Sequence, residues 1–584
     1  MAAASSEQFR HVALAVPSRL ACALVLAAGA AHAGAKDERP AALAAGSFGI
    51  APSGESGGEL PRILPMLREA GVTMLRAFPE WSGIQPSHGQ WNWSASDRLV
   101  AMARENEIRL LGIYCYLAPW ASSGGTRRFP IKDIRYWREY VEGVTARYKD
   151  DILHWEVYNE FNSGAFAQNA TPKDYAELVR VAWEAAKKAN PACKIGMGCA
   201  SVAVAFLEQT IQAGAGGCFD FVAVHPYELL EVAMSGREPT FLRMAPNLRA
   251  MLKKNGQRDD IELWVTEIGY SNRNEREQAE AVAKAFVLSL AQGIEKVFWF
   301  EARGPYNLDL IRGDWSKRPS YTALQTMTRL LGPAPKSLGW YNPTGKSYGF
   351  VFQGAREPVL VAWAMKEEGD VLTFGGDVNA TDLAGDERAV RAGEALRLTR
   401  APVFVTRLPA SLVAKARSDG ARPMPWLQDY GKAESVSCHT GAENVESGLC
   451  LLKWGDGNTV AGLVDGIHVR RTDKARGMNY IYFDVDDSYA AVGDSSIEIT
   501  VVARAVDPAK RCELDICYES RTGYRNTEKR WTLPSEPGWH ERTFSISDAN
   551  FANTWGWNFR IDVGRSQGDV WVKEVVVKRL GARN

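Results

Sequence analysis

Neither sign of charge is in excess in this chain: 69 Lys and Arg stand against 69 Asp and Glu over 584 residues, a formal net charge of zero. No basic field follows that would gather a phosphate backbone or an anionic membrane surface, so the balance points away from nucleic acid as a partner. Cysteine is sparse, with nine residues, and no spacing among them suggests zinc. There is no internal repeat and no low-complexity tract beyond the N-terminus. A content of 46% apolar and 24% charged residues leaves ample material for at least one large core and excludes disorder and collagen-like repeats.

Long apolar runs are also missing. The strongest is Leu20 to Ala30, LACALVLAAGA, preceded by Arg10 and Arg19 and followed by AHA at Ala31 to Ala33. A basic start, a short apolar core and small residues at a cleavage position form a signal-peptide pattern, assigned to residues 1–33. Its 11 residues fall short of the roughly 20 needed to cross a bilayer. The expectation is therefore export to the periplasm or the extracellular space, with no membrane span once the signal is removed. Cys22 leaves with the signal, and Cys438 and Cys450 are close enough in sequence to bridge a hairpin in an oxidising compartment.

What the chain has in quantity is aromatic surface, including 19 Trp and 19 Tyr. Such side chains offer flat apolar faces with a polar edge, which suit sugars. Between residues 44 and 332, short β-branched runs alternate with amphipathic helical stretches. Strand candidates fall at 47–51, 72–77, 108–116, 152–158, 194–198, 219–224, 261–268 and 295–300. Each is followed by a helix candidate, such as PKDYAELVRVAWEAAKKA after the fourth. Eight such repeats predict an α/β fold, a (β/α)8 TIM barrel. The open doubly wound sheet is the competing arrangement, but no glycine-rich phosphate fingerprint follows the first strand. Beyond Gly332 the helical period stops. Short alternating runs predict a small antiparallel β domain at 333–410, a polar, Pro-containing linker at 411–425, and a second β region at 426–582 with sandwich or jelly-roll spacing.

In a barrel of this type the carboxyl ends of the strands converge on one mouth. Strand four ends in WEVYNEFN, placing Asn159 and Glu160 at the rim. Strand seven ends in WVTEIGYS, placing Glu267 there too. Two carboxyls from opposed strands can flank one glycosidic bond, one protonated to donate and one ionised to attack. Arg76, ending strand two, can hold Glu267 ionised. His225 and Tyr227, after strand six, can bind a hydroxyl and hydrogen-bond the nucleophile. Trp299, ending strand eight, can form an apolar floor under a sugar ring. Trp120 and Trp315 lie in loops after strands, where a Trp either stacks a sugar or anchors packing. Glu80 and Glu301 are rim carboxylates suited to binding substrate or Arg. Asp484, Asp486 and Asp487, in DVDDSY, could hold calcium as in many jelly rolls, but the absence of EF-hand spacing favours ordinary solvated carboxylates.

With these residues in place the sequence resembles clan A retaining glycoside hydrolases, nearest in pattern to family 39 with family 5 as neighbour. The resemblance covers the barrel, about half the chain, and includes the segment WSGIQPSHGQWNWSASDRLV after strand two. It implies Glu160 as general acid/base, Glu267 as nucleophile and Asn159 as partner of a sugar 2-hydroxyl. It further implies a carbohydrate substrate, a β-linked polysaccharide or oligosaccharide, with no cofactor and no metal. Phe161 departs from the pattern, standing where many relatives carry Pro. The C-terminal β region resembles carbohydrate-binding modules of exported glycosidases, with Trp539, Trp555 and Trp557 as candidate aromatics. A catalytically silent glycan-binding protein and a transglycosylase using the same residues are the alternatives.

Overall fold

The computed structural model describes residues 46–580 apart from positions 454 and 494. The segment read as an export signal lies outside them. Eight parallel strands close into a barrel in sequential order: β1 Phe48–Ile50, β2 Met74–Arg76, β3 Arg109–Tyr114, β4 His154–Val157, β5 Lys194–Ala200, β6 Phe221–His225, β7 Glu262–Ile268 and β8 Lys296–Trp299. The fold is the expected (β/α)8 barrel, and β1 closes it by pairing with both β2 and β8. Among the described residues no helix is long and apolar enough to cross a membrane.

Alternation along each strand decides which side chains meet inside. Met74, Leu111, Phe221, Ala223, Trp264 and Phe298 form a cluster inside the barrel. Large rings fit only because glycines face them: a Cβ on Gly196 would sit 2.1 Å from the Phe221 ring, and one on Gly49 would sit 2.3 Å from the Phe298 ring. The alternate residues point outward into a much larger core shared with the helices. Helix starts follow local chemistry. Thr171 and Asp174 form a reciprocal capping box before Pro172–Ala189, and Asn274 accepts from the backbone of Arg276 and Glu277 at the start of Glu275–Ala291.

After the barrel, a six-stranded antiparallel sheet runs between Lys336 and Thr406. Its Tyr348, Phe350, Trp363 and Phe404 belong to the barrel's own outer core. Glu238 fixes the junction, accepting from Lys284 at 3.1 Å, Trp363 at 3.0 Å and Arg400 at 2.9 Å with no exposure to water. The stretch read as a linker carries a helix, Ala410–Gly420. It packs on the strand Lys336–Trp340 so closely that a Cβ on Gly339 would lie 2.0 Å from the Ala416 carbonyl.

Residues 435–579 form a curled antiparallel sheet over a separate core that includes Ile481, Phe483, Ile499, Val501 and Val575. Strand Ser495–Ala505 alternates buried and partly exposed residues along most of its length, as one-sided burial requires. Asp484 and Asp487 are not solvated: both are buried where this sheet meets the barrel, bonded to Thr240 at 2.7 Å and Asn247 at 3.1 Å. The eight described cysteines, Cys438 and Cys450 among them, are free thiols.

Candidate active site

Arg76, at the end of β2, is the hub of the barrel mouth. Its guanidinium makes a two-point pair with Glu156 at 2.8 and 3.1 Å, reaches Glu267 at 2.5 Å and donates to the Asn159 amide oxygen at 2.8 Å. Asn159 donates in turn to the Tyr116 hydroxyl at 3.0 Å. Arg76 and Glu156 are both almost completely buried, so the pair is sustained by its geometry and by the number of bonds made.

The backbone at two strand ends is bent to present these groups. Past β4, Tyr158 and Glu160 have φ of 64° and 48°, a region that non-glycine residues enter at a cost of about 1–3 kcal/mol. The turn tucks Tyr158 into the core and leaves Asn159 and Glu160 at the mouth. Phe161 stacks on Tyr175 at 4.9 Å and meets Tyr158 and Phe129 edge-on. An aromatic lock thus fixes the segment that departs from the family pattern. In β7, Trp264 and Thr266 face inward, and strict alternation would send Glu267 outward. A register shift between Val265 and Ile268 breaks the alternation, and such bulges re-aim side chains beside active sites.

Around Glu267, Tyr227 donates to Oε2 at 3.1 Å and His225 Nδ1 lies 3.7 Å away. Burial pushes the Glu267 carboxyl up, but His225, Arg76 and the Tyr227 hydrogen bond together outweigh it and hold the group below the usual carboxylate value. Burial and then the Glu267 charge keep the Tyr227 phenol well above its ordinary value, so it remains a donor.

Glu160 is held by His225, whose Nδ1 lies 2.8 Å from its Oε1, while His225 Nε2 meets Thr266 Oγ1 at 3.1 Å. Thr266 donates to Glu156 at 3.4 Å, which leaves its oxygen to accept from His225 Nε2–H. Burial lowers the His225 pKa, but Glu267 and Glu160 more than reverse this and raise it above the ordinary value.

Glu160, His225 and Glu267 each offer an atom within 4.8 Å of the others, a spacing at which a cation could be held. The Arg76 cation already pairs with Glu267 at 2.5 Å, and His225 already meets Glu160 at 2.8 Å.

The structure brings Arg76, Asn159, Glu160, His225, Tyr227 and Glu267 together and leaves the three tryptophans apart. Trp299 faces outward, fully buried, with its indole N–H on the Leu308 carbonyl at 3.0 Å. Phe298 lies in the lumen, so the next inward position is Phe300, which packs on the inner cluster. Trp120 bonds the Gln85 carbonyl at 2.8 Å and packs against Trp81, His88 and Tyr136. Trp315 is covered by the guanidiniums of Arg62 at 3.9 Å and Arg303 at 4.4 Å. Glu80 pairs with Arg127 at 2.5 Å, and Glu301 is buried and accepts from the Tyr306 backbone at 3.0 Å. Sequence reasoning missed Glu156, Thr266, Tyr116 and Phe300. The signal for the first was there: WEVYNE puts Glu156 on the inward side of a barrel strand, where a carboxylate needs a buried cation.

Comparison with known proteins gives a consistent fold. The model for "Glycosyl hydrolase family 10" matches residues 70–197, a span holding Arg76, Asn159 and Glu160 but ending before Glu267. Endo-1,4-beta-xylanase A of Fusarium oxysporum f. sp. lycopersici is 28% identical over 127 residues, 20% of this chain and 37% of that protein. Endo-1,4-beta-xylanase 2 of Claviceps purpurea is 32% identical over 138 residues, 22% of this chain and 41% of that protein. The chain thus spans about two fifths of the length of these curated relatives. A family 39 glycoside hydrolase from the gut symbiont Bacteroides cellulosilyticus WH2 superposes with a TM-score of 0.53 at 22% identity, over 62% of this chain and 80% of that one. That similarity is one of fold.

Proposed function

We propose that this chain is a retaining glycoside hydrolase of the clan A type acting on a β-linked polysaccharide or oligosaccharide, with xylan-type β-1,4 glycans as first candidates. The observation that carries the reading is the approach of Glu160 and Glu267 oxygens to within 4.8 Å, with His225 beside both. An approach of single oxygens this close supports the spacing of retaining enzymes, about 5–5.5 Å between whole carboxyl groups, over the roughly 6.5–9.5 Å by which inverting ones make room for a water molecule. In this reading Glu160 protonates the leaving oxygen as Glu267 attacks the anomeric carbon, forming a glycosyl ester. Glu160 then takes a proton from water as that water cleaves the ester, and configuration is retained. Arg76 and Tyr227 keep Glu267 ionised and aimed, and Asn159 is placed for the sugar 2-hydroxyl. The similar xylanases supply the substrate candidate, and the pattern of residues 1–33 supplies the proposal of export.

The test is a screen of aryl β-glycosides and β-linked polymers, with product anomers followed by NMR. The β-anomer is expected first from wild type. Glu267→Gln should lose turnover while remaining folded, and Glu160→Ala should lose activity that azide partly restores. Full activity in Glu267→Gln would end the assignment.

A further inference from the structure

The C-terminal β region meets the barrel beside the catalytic groups. The loop 550–558 joins strand His540–Ala549 to strand Phe559–Asp562. Its Gly556 rests on the first turn of helix Tyr227–Met234: a Cβ there would lie 3.2 Å from the Glu228 carbonyl and 3.1 Å from Val232. Glycine is required at this point both by that approach and by its φ of 77°. The residue before Glu228 is Tyr227, which donates to Glu267. Two steps of about 3.8 Å along the backbone, with the side-chain contact between them, therefore keep the Cα atoms of Trp555 and Tyr227 within about 14 Å of each other.

The loop is tied down by hydrogen bonds to Glu519 and Tyr524. Glu519 accepts from the backbone N–H groups of Ala552 at 2.8 Å, Asn553 at 3.0 Å and Thr554 at 3.0 Å, and from the Thr554 hydroxyl. Trp555 N donates to the Tyr524 hydroxyl at 3.2 Å, which donates to the Trp557 carbonyl at 2.6 Å. Trp557 itself is buried against Tyr524 and Tyr482 and offers no face to a ligand. Trp555 is 43% exposed, the only aromatic among the exposed large hydrophobic residues described. An indole held in water by an ordered loop gives a sugar a flat apolar face at low entropic cost.

We propose that Trp555 is a stacking platform for a sugar unit of a β-linked glycan lying across the barrel mouth, so that the C-terminal β region completes the substrate cleft instead of serving as a tethered binder. The proposal rests on the glycoside hydrolase reading above. Its test uses the full chain and a ladder of β-1,4-xylo-oligosaccharides from xylobiose to xylohexaose. Trp555→Ala should cut the kcat/KM advantage of xylohexaose over xylobiose about tenfold, equivalent to about 1.4 kcal/mol, with the loss mainly in KM. Trp555→Phe should keep most of that advantage, and near-UV circular dichroism of both variants should match wild type. An unchanged length dependence in Trp555→Ala would overturn the platform while leaving the hydrolase reading intact. If wild type cleaves none of the ladder, that reading fails for these substrates. Calorimetric binding of xylohexaose to Glu160→Gln, with and without Trp555→Ala, then decides the platform: weaker binding in the double variant supports it, and equal binding or none overturns it.

Discussion

Arg76 and Glu267, 191 positions apart in sequence, meet at 2.5 Å in the barrel mouth. The same guanidinium binds Glu156 through two nitrogens. One cation therefore both neutralises a buried structural carboxylate and holds the proposed nucleophile ionised.

Arg76→Met should consequently fail on two counts. Leaving Glu156 buried without its partner is expected to destabilise the fold by about 3–5 kcal/mol, read as a lowered midpoint in urea. Activity should fall far more than Arg76→Lys allows, because Lys restores the charge without the planar fork. Equal stability of Arg76→Met and wild type would contradict the role given to the Arg76–Glu156 pair.

Tyr227→Phe removes one donor to Glu267 and leaves the ring. Glu267 must be ionised to attack, so activity is lost on acidification through its pKa. That pKa is held below the ordinary glutamate value in part by the Tyr227 hydrogen bond. The acid limb of kcat/KM against pH should therefore move to higher pH in Tyr227→Phe, with kcat lower by about 10²-fold, the scale for one lost donor at a reacting oxygen. A limb that stays in place would show that the phenol does not act on Glu267.

The seam between barrel and C-terminal sheet should weaken as pH rises. Burial, chiefly, lifts Asp484 from 3.8 to about 6 and lifts Asp487 well above its usual value. A carboxyl whose pKa is higher folded than unfolded stabilises the fold fully below the unfolded value, and that contribution is lost as pH rises through the folded one. For Asp484 the window runs from pH 3.8 to about 6, and the shift is worth roughly 3 kcal/mol. Thermal melting of Asp484→Asn against wild type should show wild type losing ground across that window, and parallel curves would contradict it.

The sequence made the barrel legible because eight β-branched runs alternate with helical patterns, and the carboxyls legible because Glu160 and Glu267 close two of those runs. Facing was harder to read. Trp299 and Phe300 are adjacent and both aromatic, so only the phase of strand β8 tells which enters the mouth, and the sequence marks that phase weakly. The bulge that turns Glu267 inward depends on pairing between β7 and β8, a tertiary fact. Ala410–Gly420 mixes polar and small residues, and only the folded chain shows its close seat on Gly339. The run DVDDSY reads as solvated because nothing local reveals that Thr240 and Asn247 come to cover it.

The most direct test of the central claim, that Glu160 and Glu267 act on opposite sides of one bond, is to trap the intermediate. Wild type incubated with an activated 2-deoxy-2-fluoro-β-xyloside should lose activity with time, and peptide mass spectrometry should find one fluorosugar ester, on Glu267. An adduct on another residue, or no adduct in a chain that hydrolyses the matching aryl xyloside, would contradict the account.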